Sequence, residues 1–540
     1  MKLIFAKMKR TISVFQRVKT YKTFVSLIIF PVLFSSCVKK LPDISTSESM
    51  KQPFYDEQYR PQFHFTPEMN WMNDPNGLVY HDGEYHLFYQ YNPFGIKWGH
   101  MSWGHAVSED MIHWEHLPVA LKEENNIMIF SGSAVVDKQN TSGLGSTENP
   151  PMVAIYTGNH TNQKLQDQRI AYSLDNGRIW TKYSGNPVID EEMSAFRDPK
   201  VFWHEPTDRW IMVVALPNIH KVRFYSSSNL IDWEVHSDFG PAGATGGVWE
   251  CPDLFELPVD GDPDNSKWVL QVDIGKGGPF GGSGAQYFIG EFDGKKFTQD
   301  SETEGETRWV DYGKDFYAVQ SFDNIPKEDG RRIWLAWMSN WQYAGDIPTN
   351  PWRSAMTIPR EVTLQNINGE NRLVQKPVVE LQSLRDEHHT FKSEIISGEN
   401  TLLSDTAISG KTLEIKLRFT APEAGTFGIK LAKGEGGETR VGYNGDKGVV
   451  FIDRKESGKV DFNEHFSGVH QAEMKPINGV IELHILLDRS SVEVFGNGGL
   501  ISITDRVFPH ANGNLLSLYS SGEAVEVQNI DIWKLNSTWK

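Results

Sequence analysis

Three acidic residues stand in settings that could do chemistry. Asp74 lies in Trp71-Met72-Asn73-Asp74-Pro75-Asn76-Gly77, Asp198 in Phe196-Arg197-Asp198-Pro199, and Glu250 in Trp249-Glu250-Cys251-Pro252-Asp253. A proline follows each acid within two residues, fixing φ and removing a backbone donor, so each side chain has a stiff mount. Carboxyl groups in unlike surroundings suit cleavage of a glycosidic bond. One stays ionised and attacks the anomeric carbon, while the other keeps a proton for the leaving group. Asp74 has amide donors close by in Asn73 and Asn76 to hold an anion. Glu250 sits between Trp249 and Cys251, the more apolar setting, and is therefore expected to be the acid. Arg197 beside Asp198 would keep that carboxylate charged, which suits gripping hydroxyls.

These acids lie far apart in the chain, so a fold must gather them. The chain repeats itself about every sixty residues. Each unit has a polar or acidic lead, an apolar strand, a turn, and a strand opening on an aromatic. The leads are Asp74, Ser131, Asp198, Asp253 and Asp315. A second marker closes three of the units: Ser108 to Trp114, Ser173 to Trp180 and Ser228 to Trp233. Repeated strands and turns without helical periodicity predict a five-bladed β-propeller over residues 59–375. Equivalent positions in the blades share a radius, so Asp74, Asp198, Asp253 and Asp315 are expected to converge near the axis. The pattern dissolves after about residue 365, and 376–400 reads as a linker with one short helix around Val378 to Leu384. Alternation returns at Leu413, Ile415, Leu417 and Phe419 and again at Ile481, Leu483 and Ile485. This predicts an antiparallel β-sandwich over 401–540, and an all-β protein throughout.

Composition narrows the function. The chain has 540 residues, 39 % hydrophobic and 12 % aromatic, with 17 Trp and a net charge of −17. It is too apolar and aromatic for a disordered chain. Its acidity argues against a nucleic-acid partner, which needs clustered cations. The aromatic content points to a neutral substrate such as a sugar. The first 36 residues differ from this average. They hold Lys2, Lys7, Lys9, Arg10, Arg17, Lys19 and Lys22, no acid, and an apolar run from Phe24 to Phe34. That is a secretory signal, and a run of about 11 residues is short of the roughly 20 that span a bilayer. Ser35-Ser36-Cys37 resembles a bacterial lipoprotein cleavage site, with Cys37 lipidated and 37–58 serving as a tether. Ordinary cleavage near Ser36 is the alternative. The expectation is an exported, membrane-anchored, monomeric lipoprotein of a Gram-negative bacterium. Val38-Lys39-Lys40, in place of acids after the cysteine, favours the periplasmic face. With Cys37 lipidated, Cys251 has no disulfide partner.

The motifs around Asp74, Asp198 and Glu250, taken together, resemble glycoside hydrolase family 32, the β-fructofuranosidases. The resemblance runs from about His64 to the C-terminus. It also rests on His86 to Pro93, Trp98 to Leu121, Phe130-Ser131-Gly132-Ser133, Asp315-Phe316-Tyr317-Ala318 and Trp337 to Arg360. It implies the same two-domain fold and a retaining double displacement with no metal or organic cofactor. By that analogy Asp74 is the nucleophile on fructose C2, Glu250 the acid and then base, and Asp198 the transition-state stabiliser. The sugar-holding positions it implies are Asn73, Gln90, Trp98, Phe130, Ser131, Arg197, Asp315 and Trp341. Asn340 to Tyr343 and Asp346 to Thr349 resemble exo-acting levanases and inulinases. The expected substrates are levan, inulin, fructo-oligosaccharides or sucrose, with β-2,1 or β-2,6 preference unread.

Other readings stand beside these. An endo-levanase or fructosyltransferase would keep the same three acids, whereas a non-catalytic fructan-binding lipoprotein would be expected to lose one. Asp315 could be a turn cap, and Cys251 reads as a small buried filler. Asp260 to Asn265 fits a plain turn better than a calcium loop. Gly275 to Gly284 precedes an apparent strand rather than a helix, so it reads as a flexible rim loop that could shape specificity. The sandwich is expected to pack on the propeller rather than bind glycan.

Overall fold

The computed structural model describes residues 55–400, 403 and 408–539. The signal segment, Cys37 and most of the expected tether lie outside the described residues. The tether's last residues are docked rather than loose. Tyr55 stacks on Trp539 with ring centroids 4.1 Å apart, and its hydroxyl is 2.6 Å from His116 Nε2.

Turn-rich, aromatic strand pairs fold as antiparallel sheets. The first has strands Asn70–His81, Glu84–Asn92, Ser102–Ser108 and Glu115–Leu121, with the short Trp352–Arg353 added in parallel beside Asn70. The second has Ile127–Val136, Met152–His160, Gln166–Ser173 and Thr181–Lys182, and the third Arg197–His204, Arg209–Leu216, Lys221–Ser227 and Trp233–Phe239. A nine-stranded sheet holds two further groups. One runs Trp249–Val259, Asp262–Ile274, Gly284–Phe292, Phe297–Gln299. The other runs Tyr317–Ser321, Arg332–Trp337, Arg360–Ile367, Glu370–Pro377. One parallel pair, Val259 with Leu364, joins them.

Successive groups pack face to face around a ring. Period-2 alternation sends Met212 and Val214 to one neighbour, against Val153 and Ile155, and sends Ile211 and Val213 to the other, against Leu254 and Leu270. The inner strands are bonded in a closed circuit. Gly132 N donates to Asn76 Oδ1 (3.1 Å), Val201 N to Ser133 Oγ (2.9 Å) and Cys251 N to Asp198 Oδ2 (3.0 Å). Ser321 N donates to Asp253 Oδ2 (2.7 Å), and Asp323 N to Leu78 O (2.9 Å) returns to the first strand. This is the N-terminal β-propeller expected from the repeat.

The C-terminal β-sandwich has its own core, including Leu413, Ile415, Leu417 and Phe419 of the strand Leu413–Thr420, as the alternation predicts. The expected linker is corrected. Only the 3-10 helix Val379–Leu384 is short connecting structure, and Arg385–Asn400 is a 16-residue strand paired with Leu515–Leu535. It buries only Ile396, so it carries no apolar alternation for a sequence reading to find. Buried ion pairs lock the two domains in register. Arg360 binds Asp311 and Glu493, and His64 bridges Asp488 and Glu493 at 2.8 Å each. Truncating one partner of such a pair leaves a buried charge uncompensated.

Candidate active site

The inner strands carry the same irregularity near their starts. Two residues stand opposite one on the partner strand: Asn73-Asp74, Phe130-Ser131, Asp198-Pro199, Cys251-Pro252 and Ala318-Val319. Such bulges break the pleat and re-aim side chains. Asp198, Cys251 and Ala318 take left-handed φ values of 65°, 46° and 55°. Non-glycine residues hold that conformation only where their surroundings enforce it. Pro199 and Pro252 fill the second bulge position, where the ladder needs no N–H. Two of the prolines noted in the sequence thus occupy bulges, and the third, Pro75, directly follows one, paired with Tyr89.

These bulges bring Asp74, Asp198 and Glu250 together. Cys251 Sγ lies between two of them, 3.8 Å from Asp74 Oδ2 and 3.7 Å from Asp198 Oδ2. Asp74 accepts Asn73 Nδ2 on Oδ1 (2.9 Å) and Ser131 Oγ on Oδ2 (2.6 Å). Asn73 is held in turn by Trp71 Nε1 (2.7 Å), while Asn76 Nδ2 bonds the Asp74 carbonyl (3.1 Å). Thr157 Oγ1 accepts Asp198 N (3.0 Å). Arg197 Nη2 lies 2.8 Å from Glu250 Oε1, whereas its Nε is 3.9 Å from Asp198 Oδ2. Tyr317 donates its hydroxyl to Glu250 Oε2.

This differs from the expected electrostatics. Glu250 is not in an apolar setting: a guanidinium and a phenol hold its two oxygens. Burial pushes Asp74 above the usual carboxylate range. The bonds from Ser131 and Asn73 oppose that push, and the Glu250 charge adds to it. Burial also pushes Asp198 up to about 7, against the pull of Arg197 and with the push of Glu250 and Asp74. Adjacent carboxylates disfavour one another's charge, which adds to burial at both Asp74 and Asp198.

The aromatic rim is partly open. Trp98 is 46 % exposed and meets Phe130 edge-on at 6.0 Å. Trp341 is 37 % exposed and lies at 23° over Trp71, with centroids 6.0 Å apart. Gln90 is buried and donates to Ile129 O (3.0 Å), steadying the strand that carries Phe130 and Ser131.

Two expectations are corrected. Asp315 does not face a sugar. It is 0 % exposed, and its oxygens accept Tyr343 Oη (2.7 Å), Arg454 Nη1 (2.6 Å) and Arg506 N (2.8 Å), the two arginines coming from the sandwich. Asp253 also stays off the site, buried against Ser321 N and 3.4 Å from Lys200 Nζ. The repeat is aligned by its bulges rather than its acids, so Asp253 and Asp315 are not equivalent to Asp74. Cys251 is buried as expected, but at the centre of the site rather than as passive filling.

Sequence reasoning missed two neighbours. Tyr317 precedes its bulge as Glu250 and Arg197 precede theirs, so alignment on the bulges would have found it. Asp273 pairs in register with Glu250, accepts Gln271 Nε2 (2.9 Å), and is pushed well up by burial. No motif marks it.

Comparison with known families settles the kinship. Residues 64–377 match the glycosyl hydrolases family 32 N-terminal domain, and 380–534 match the family 32 C-terminal domain. The chain belongs to glycoside hydrolase family 32. It is 50 % identical over 501 residues to a levanase of Bacillus subtilis, covering 92 % of this chain and 73 % of that one. It is 44 % identical over 523 residues to an extracellular exo-inulinase of Aspergillus awamori, covering 90 % and 96 %. The crystal structure of exo-inulinase from Aspergillus awamori superposes with a TM-score of 0.85 at 43 % identity, covering 90 % of this chain and all of that one. A fructofuranosidase from Schwanniomyces occidentalis, complexed with fructose, gives 0.81 at 35 %, covering 89 % and 99 %. This member of family 32 is thus a glycoside hydrolase, with a propeller followed by a sandwich.

Proposed function

We propose that the enzyme removes terminal β-D-fructofuranosyl residues from levan, inulin, fructo-oligosaccharides or sucrose, with retention. The observation that carries this reading is the meeting of Asp74, Asp198 and Glu250 at the bulged starts of the inner strands, Asp74 and Asp198 on their bulges and Glu250 just before its own. Asp74, held by Asn73 and Ser131, attacks fructose C2 as Glu250 protonates the departing oxygen. Water then attacks the fructosyl ester, with Glu250 taking its proton and Asp74 leaving. Asp198 and Arg197 grip hydroxyls, and Trp98, Phe130 and Trp341 supply apolar walls. Kinship to a levanase and exo-inulinases supports the fructan substrate and exo attack. The closed circuit of inner strands supports five blades. The N-terminal sequence supports export and anchoring through Cys37.

The test is Asp74→Asn, with folding checked by circular dichroism. Hydrolysis should fall by several orders of magnitude, and mass spectrometry of wild type quenched during turnover should find a fructosyl adduct on Asp74. Retained turnover in the variant would refute the assignment.

A further inference from the structure

We propose that Arg454 of the sandwich is a positioning residue for the substrate pocket: through Asp315 and Tyr343 it fixes the turn that carries Trp341. The inference rests on the proposed function, because it gives the sandwich a part in holding that substrate.

The turn is Asn340 to Ala344, closed by Tyr343 N and Ala344 N on Asn340 O at 3.0 and 2.8 Å. Trp341 sits inside it. With 37 % of its surface exposed, burial alone does not fix this residue, so its placement depends on the backbone anchors around it. On one side Tyr343 donates to Asp315 Oδ1, and Arg454 spans both, with Nη1 2.6 Å from Asp315 Oδ2 and Nη2 3.0 Å from Tyr343 Oη. All three residues are buried. Arg454 is itself fixed by Phe466 O (2.8 Å) and Arg506 O (2.9 Å), with its guanidinium 3.9 Å over the Phe466 ring. A rigid planar fork of this kind orients its partners in a way a lysine does not.

A second sandwich residue grips the same turn. Asn463 Nδ2 lies 3.3 Å from Gln342 O and 2.8 Å from Asp346 Oδ2. On the propeller side, Asn340 Nδ2 donates to Lys314 O (2.8 Å) and Trp341 N to Ser283 Oγ (3.1 Å). The Trp341 ring lies over Trp71, whose indole N–H holds Asn73, which in turn donates to Asp74. A shift of the turn would therefore act one aromatic layer from the Asp74 hydrogen bonds.

A purely structural interface would set stability alone, so the test reads the pocket. Tyr343→Phe removes one hydroxyl, and Asn463→Ala removes one amide at a half-buried position. Each should raise KM for inulin and sucrose about threefold or more, with kcat little changed. Arg454→Lys should do the same and also lower Tm. The KM effects of Tyr343→Phe and Asn463→Ala should disappear in a Trp341→Ala background, because coupled residues are not additive. A lowered Tm with unchanged KM, or the full KM effect persisting without Trp341, would overturn the proposal. A sugar-independent readout separates it from failure of the proposed function. The fluorescence lost on Trp341→Phe should be more readily quenched by acrylamide in Tyr343→Phe, as in Asn463→Ala. Unchanged quenching would overturn the positioning role even if no fructan were cleaved.

Discussion

Replacing Arg197 by Gln should move the acidic limb of the pH profile of kcat/KM upward. The guanidinium lies 2.8 Å from Glu250 Oε1 and 3.9 Å from Asp198 Oδ2, and 14 % of its side chain is exposed. At about 4 Å and an effective dielectric near 20, one charge pair is worth ~4 kcal/mol. That is roughly three pKa units at 1.36 kcal/mol per unit, and relaxation and residual solvent reduce it to an expected shift of about one to two. The sign follows from removing a cation, which favours the protonated form of every carboxyl nearby. Asp198 must be ionised to stabilise the transition state, and Arg197 opposes the burial that pushes it up, so without Arg197 the acidic limb moves to higher pH. The variant should therefore lose more activity at pH 5 than at pH 7. Arg197→Lys keeps the charge and should shift less. The assay is initial-rate hydrolysis of sucrose across pH 3.5 to 9. A uniform loss of rate with unmoved limbs would mean that Arg197 only binds sugar, and a downward shift would refute the electrostatic account.

Ser131→Ala removes a charge-assisted bond to Asp74, worth about 1.5 to 3 kcal/mol, so kcat/KM should fall about ten- to a hundredfold and the acidic limb should rise. Unchanged kinetics would show that this bond contributes nothing. Glu250→Gln should slow sucrose far more than an aryl fructoside with an activated leaving group, and equal losses would argue against its acid role. Burial disfavours the Glu414 charge, but bonds from Arg385 and His484 outweigh this and pull the carboxyl down to about 2. Its stabilisation is present above the unfolded value of about 4.5 and lost as pH falls through the folded one. Glu414→Gln should thus lower Tm at pH 7, with the gap to wild type closing between about pH 4.5 and 2. A gap that stays constant would contradict this. Cys37→Ala should abolish fatty-acid labelling and release activity from membranes, and retained labelling would exclude lipidation at Cys37.

Much of this architecture was legible because it repeats. Leu78, Val201 and Leu254 are apolar for the same reason, facing a neighbouring sheet, and Leu413 to Phe419 alternate because one face is buried. The three acids were legible because a proline lies in or directly after each bulge. What failed was alignment by charge. Asp253 and Asp315 resemble leads in sequence, but a carboxylate can serve a pocket, a buried lysine or a domain interface equally well, and only register separates these. Glu250 was misread for a related reason. Its sequence neighbours are apolar, yet Arg197 and Tyr317 reach it from adjacent inner strands, and such contacts leave no trace in local sequence. Arg385–Asn400 was missed because a mostly exposed strand has no hydrophobic period.

The most direct measurement is the course of early products from inulin, levan and sucrose. The account predicts fructose as the sole new sugar from the first minutes, with each polymer shortening one unit at a time from its end. A ladder of oligosaccharides appearing before free fructose would mean attack within the chain and would contradict exo hydrolysis. No release from any of the three would contradict the proposed function itself.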